Sequence, residues 1–227
     1  GTASIVGMTL QAFRKSERIY ATGGPSSAQI AGTLIGMASR TPVFLEFQDP
    51  FIGSEMHVTR SASSVLQVLE RFFVKNAAQI TVVTEKAGAD LRARYPEANR
   101  KIWAEHPGSW DFGIRNAKSI EAKNQEVHLD ITHLGTLYGK RNLDTLFEAI
   151  DLLPDGIRSR IRVRNVGGVF VDKAEEYRSR SFFSEVGYLP RAESLKLAAQ
   201  SDLLLLVQHT DSRSEETIPY KTYDYLN

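Results

Sequence analysis

Hydrophobic positions along this chain follow two rhythms that take turns. Short runs that alternate, or are apolar throughout, predict strands over Arg18–Thr22, Val43–Phe47, Gln79–Thr84 and Lys101–Glu105. Between them, apolar residues at helical spacing predict a helix carrying Ile30, Leu34, Ile35 and Ala38, with Ser26 or Ser27 as its cap. A longer helix carries Val65, Leu69 and core residues Phe72 and Phe73, and another runs over Glu85–Tyr95 until Pro96 stops it. The periodicity fades over Gly113–Gln125, which reads as a linker. It then restarts, with strands over His128–Leu134, Arg160–Val166 (basic on an exposed face) and Phe182–Val186, and helices over Leu143–Leu153 and Ala192–Gln200. Strands separated by helices imply parallel pairing through right-handed crossovers. The expected fold class is α/β, with two doubly wound Rossmann-like domains, 1–122 and 123–227, facing each other across a cleft.

The last stretch, Ser201–Leu226, concentrates the candidate chemistry. Leu203–Val207 has the length of one buried strand, although a run so short also suits a buried helix segment. The polar loop His209–Thr217 follows and ends at Ile218-Pro219, where proline pre-sets φ for the first turn of a helix. Ligands of open α/β sheets bind where strand C-termini meet helix N-termini. Lys221 and Asp224 are three residues apart and share a face of that helix, while Glu216 precedes it and could point into the same cleft. The competing reading is a solvated acidic loop leading into an ordinary surface helix.

Composition narrows the classes further. An apolar fraction of 42% and a charged fraction of 24% are those of an ordinary soluble globular protein. Lys plus Arg total 28 against 27 for Asp plus Glu, so no global field points to nucleic acid. The absence of cysteine excludes disulfides and thiolate metal sites, and His57, His106 and His133 lack metal-ligand spacing and read as surface or core histidines. No apolar run reaches bilayer length and no signal peptide is visible, so a cytoplasmic protein is expected. A start at Gly1 and a stop at Asn227, inside an expected helix, read as an excised piece.

Three runs then carry a resemblance: THLGTLYGKRNLDTLFEAI (Thr132–Ile150), LPRAESLKLAAQSDLLLLV (Leu189–Val207) and TIPYKTYDYL (Thr217–Leu226). In this order they resemble the nucleotide-binding half of family 4-type glycosyltransferases, which are enzymes of two Rossmann domains (the GT-B type). Ile19–Phe51 and Ile80–Pro96 are similar to the acceptor-side domain of the same family. The resemblance covers nearly the whole chain. It implies that both domains are incomplete, lacking the first strands of one and the last helices of the other, and that this piece alone is inactive.

The activity so implied is transfer of a sugar from a nucleoside-diphosphate-sugar donor to a hydroxyl of a saccharide or lipid-linked acceptor, with retention of anomeric configuration. No cofactor, metal or nucleic acid is implied, and a peripheral contact with the inner face of a membrane is compatible with it. The departing diphosphate gathers negative charge, so fixed cations and backbone N–H dipoles are needed. Gly135 and Thr136 let the backbone approach phosphate, and Lys140 and Arg141 lie just before the next helix. By resemblance Arg141 is the phosphate-binding residue, suited to bidentate contact, and Lys221 is the second. Their plain alternatives are a helix-terminal surface cation and a snorkelling lysine.

Gly167-Gly168 and Gly187-Tyr188 would frame base and ribose, or simply turn the chain. The family's Glu-x7-Glu pair corresponds to Glu216, placed near the donor sugar, and Asp224, one methylene shorter, placed at the ribose; Glu215 could stand in for Glu216. In the first domain, Asp49 follows a strand and faces the expected cleft, within Gln48-Asp49-Pro50 where relatives carry Arg-Asp-Pro. Pro107-Gly108-Ser109 likewise departs from the family's Pro-Asn-Gly. A non-catalytic two-domain binding protein and a nucleotide-sugar epimerase are the alternative functions.

Overall fold

The computed structural model describes residues 2–14, 16–23, 26–52, 60–108, 129–208 and 213–226. The linker expected over Gly113–Gln125, the boundary at 122, His57, and parts of the Gly23–Pro25 and Pro107–Ser109 turns lie outside the described residues.

The first unit opens with a helix that the hydrophobic pattern had not announced, α1 (Thr2–Phe13). It continues β1 (Ile19–Ala21), α2 (Ser27–Ser39), β2 (Val43–Phe47), α3 (Arg60–Asn76), β3 (Gln79–Val82), α4 (Glu85–Arg94), a 3-10 turn at Pro96–Lys101 and β4 (Ile102–Ala104). The four strands are parallel and lie in chain order, β1-β2-β3-β4, with Leu45 opposite Ile80 and Ile80 opposite Ile102. This sheet therefore grows in one direction only. Leu45, Ile80 and Phe73 are sealed from solvent at its centre; each such side chain contributes roughly 1.5–3 kcal/mol of burial. Helix α4 starts where Thr84, in extended conformation, accepts a hydrogen bond from the Ala87 N–H at 3.1 Å. Glu85 in its first turn and Arg92 and Arg94 in its last complement the helix dipole.

The second unit contains β5 (Leu129–Leu134), β6 (Leu137–Tyr138), α5 (Asp144–Asp151), α6 (Asp155–Arg158), β7 (Ile161–Val166), β8 (Val169–Phe170), α7 (Ala174–Ser179), β9 (Phe183–Gly187), α8 (Arg191–Ala199) and β10 (Leu203–Leu204). Its main sheet is parallel in the order β10-β5-β7-β9. Strands are added on one side of β5 until β9, after which the chain crosses back to place β10 on the other side. That reversal between β5 and β10 is the switch point at which doubly wound sheets bind ligands. Phe147 meets the rings of Tyr177, Phe182 and Phe183 edge-on at 4.6–5.3 Å and anchors the core on one face.

Three expectations change here. The five-residue strand Leu203–Val207 pairs over Leu203–Leu204 alone, because the chain turns away once Leu205 has donated to the Thr132 carbonyl. The supposedly exposed basic face of Arg160–Val166 is engaged: Arg162 and Arg164 both hold the buried carboxylate of Asp130. Between β5 and α5, where no strand was expected, β6 pairs with β8 in a two-stranded ladder.

Two short helices close the described chain, α9 (Arg213–Glu216) and α10 (Lys221–Leu226). The chain divides into two compact units, one of Gly1–Pro107 with Asp211–Ile218 and one of Gly108–Thr210 with Pro219–Asn227. Glu216 thus belongs to the first unit, and Lys221, only five residues on, to the second. Among the described residues no helix is long and apolar enough to cross a membrane.

Candidate functional site

In the second unit, loops from the C-terminal ends of β5, β7 and β9 converge with the first turn of α10. The Gly135 N–H donates to Val166 O at 2.7 Å and the Leu137 N–H to Gly168 O at 3.0 Å, which knits the first two loops together. Two positions there accept glycine only. A Cβ on Gly167 (φ +138°) would stand 2.5 Å from the Gly135 carbonyl oxygen. A Cβ on Gly135 (φ +123°) would stand 2.9 Å from Lys221 Nζ, so the ammonium lies directly over bare backbone.

Helix α10 is held in place by Tyr225, whose hydroxyl accepts from the Leu134 N–H at 2.9 Å and donates to Leu205 O at 3.3 Å. This tyrosine docks the helix, whereas Tyr220 and Leu226 are exposed. Lys221 Nζ is 2.8 Å from His133 Nε2, and His133 Nδ1 is 2.6 Å from Asn165 Oδ1. Burial first, and Arg141 second, bring the Lys221 ammonium down to a pKa of about 8. Arg141 stacks 5.3 Å from the centre of the Tyr138 ring and donates to its hydroxyl at 2.9 Å. The backbone just beyond is set by Tyr177, which accepts from the Leu143 N–H at 2.9 Å and donates to Asp144 at 2.5 Å.

The other residues expected here fall into place unevenly. Thr136 and Tyr188 approach one another at 3.3 Å between hydroxyls, and Gly187 (φ +81°) turns the chain just before Tyr188. Lys140 is exposed. Asp224 is nearly buried against Arg191 of α8, with which it forms an ion pair. His133, read as a surface or core histidine, is a core one, buried at the heart of the site together with Asn165. The sequence held one faint signal, a polar Thr132-His133 pair inside a strand that is buried on both faces.

In the first unit, Asp49 and Glu216 share the lining of a shallow pocket walled by Phe47, Phe51 and Leu91. Beneath them Glu70, wholly buried, takes a two-pronged contact from Arg94 at 3.0 and 3.1 Å. Burial raises the Glu216 carboxyl above its ordinary pKa, Asp90 adds to the rise, and Lys86 and Arg94 oppose it. Glu215 follows the same short helix but does not line the pocket. Among the described residues no cluster of histidines and carboxylates could hold a metal.

A parallel sheet with its strand order reversed beside a cation-bearing loop, joined in one chain to a second parallel α/β sheet, defines an α/β protein of the GT-B type. Solved structures bear out that fold. The chain is similar to HepE from Anabaena, solved with UDP, at a TM-score of 0.63 and 15% identity over 89% of this chain and 55% of that one. It is similar to the UDP-GlcNAc 2-epimerase of Methanocaldococcus jannaschii at 0.53 and 16%, over 90% and 59%. WaaB, a lipopolysaccharide outer core galactosyltransferase in its apo form, matches at 0.55 and 10%, over 89% and 53%. The chain therefore spans little more than half the length of these proteins. No known family profile matches it, and no curated protein matches it by sequence.

Proposed function

We propose that this protein acts on a nucleotide sugar, holding the diphosphate of a UDP-sugar donor in the second unit and passing the sugar to an acceptor hydroxyl with retention. The observation that carries the reading is the Lys221 ammonium lying over Gly135 at the switch point, with Arg141 on a neighbouring loop. A diphosphate laid on that bare backbone would meet two cations, the kind of fixed positive charge that stabilises a departing phosphate. Gly187 and Tyr188 would border the base and ribose. Asp224 would reach the ribose only with Arg191 as its companion. Glu216 and Asp49 are assigned to the chemistry at the sugar, with a saccharide or lipid-linked acceptor; no metal or other cofactor is required. That HepE was solved with UDP and with UDP-glucose supports the choice of donor.

A second reading, epimerisation of a UDP-sugar, has its own support in the likeness to UDP-GlcNAc 2-epimerases. One experiment separates the two. The protein is incubated with UDP-glucose or UDP-GlcNAc, with and without acceptors, and the sugar is followed by NMR. Transfer releases UDP and forms a new α-glycosidic bond, whereas epimerisation inverts a ring carbon with no acceptor present. Titration with UDP tests the site itself. Loss of a charge-assisted hydrogen bond in Lys221→Ala or Arg141→Ala should cost about 1.5–3 kcal/mol of affinity. Unchanged affinity in both variants would remove the diphosphate from this site.

A further inference from the structure

His133 and Asn165 have no part in the reading above, yet their geometry determines what Lys221 can do. Asn165 Nδ2 donates to the Gly167 carbonyl at 2.9 Å, so its Oδ1 is the atom turned toward His133. An amide oxygen only accepts, and His133 Nδ1 must therefore carry the ring proton. The neutral ring then presents a lone pair at Nε2, and the ammonium 2.8 Å away is its donor. Burial first, and the charge of Lys221 second, keep the imidazole neutral down to about pH 4.

We infer that His133 and Asn165 are positioning residues, which through a locked Nδ1–H tautomer hold the Lys221 ammonium down over Gly135. The proposal rests on the reading of this unit as a diphosphate site. A lysine on a four-carbon stem ordinarily extends its charge to water, and here it is held inside the loops over a residue with no side chain. The neighbouring charged and titratable groups leave that role to His133. Arg141 repels the ammonium, Asp224 on the same helix is engaged by Arg191, and the Tyr225 hydroxyl is spent on Leu134 and Leu205.

The test uses the whole chain labelled with 15N. Ring nitrogen shifts should report the Nδ1–H tautomer of a neutral His133 at pH 6, and the Lys221 Nζ signal should titrate near pH 8. In His133→Leu and Asn165→Leu the lysine midpoint should move to lower pH, because the ammonium loses its acceptor, or the tautomer that supplies it. UDP affinity at pH 7.5 should drop roughly tenfold in both. His133→Gln, which keeps an acceptor, should recover part of the loss, and thermal melting identifies any variant that fails to fold. An Nε2–H tautomer, or an unmoved lysine midpoint in the folded variants, would overturn the assignment. Failure of UDP to bind the unaltered protein would sink the diphosphate reading, while the tautomer and the lysine titration would still decide whether His133 holds Lys221.

Discussion

At position 135 one missing methyl group decides how close a cation comes to the backbone. Gly135→Ala places a Cβ 2.9 Å from Lys221 Nζ at a φ of +123°. The flexible lysine tip can move, but the backbone conformation cannot suit alanine, so the variant should lose about 1–2 kcal/mol of stability and bind UDP more weakly. Denaturant titration and calorimetry measure the two effects. Stability should also respond to acid through His133. Its folded pKa is depressed to about 4 from an ordinary 6.5, so the unfolded chain binds the proton more readily. This contribution is intact above about pH 6.5 and is lost as pH falls toward 4. In His133→Leu that part of the acid slope should disappear from denaturant midpoints. Neither consequence was legible in the sequence. The types of Gly135, Arg141 and Lys221 suggested phosphate, but the partner of Lys221 lies 88 residues away and only folding brings it near.

At the scale of elements, the strands of the two main sheets were readable, edge strands β1, β4 and β9 included. β2, β3, β5 and β7 are buried on alternating or both faces, and their apolar runs say so. β6 and β8 pair for only two residues each, too short for any period, and α7, at six residues, is under two helical turns. Helix α1 was missed because it buries a polar stripe, Ser4 and Gln11, and leaves Ile5, Val6 and Leu10 exposed, the reverse of the usual pattern. Where an end is capped, its worth can be stated. Thr84→Ala should destabilise the first unit by about 1 kcal/mol, read from its unfolding midpoint. Tyr225→Phe removes the hydroxyl that holds α10 to β5 and should leave Leu134 N–H unpaired. A cost of about 1–3 kcal/mol is expected, together with weaker UDP binding as Lys221 loses its seat. If nucleotide affinity is unaffected by Tyr225→Phe, α10 does not carry the cation of the site.

At the scale of the molecule, alternation of strand and helix was enough to announce two α/β units, and solved structures of the same fold agree. The course of the chain near its end was not announced. Glu216 and Lys221, read together as parts of one cleft, are divided between the units, because α9 packs on α4 while Tyr225 takes α10 to β5. Strand order has a further consequence, for the sequence in which the second unit acquires its structure. β5, β7 and β9 can zip together as neighbours, whereas β10 must close a loop of about seventy residues to pair Leu203 with Ile131, for only two residues of ladder. That edge should be the last part to form and the first to open. In native-state deuterium exchange the amide of Leu205, which donates to Thr132 O, should exchange far sooner than that of Val163, which donates to Phe182 O. A nucleotide seated there would slow the first and leave the second nearly unchanged. A ligand bound at the switch point would thus be the final staple of its own domain.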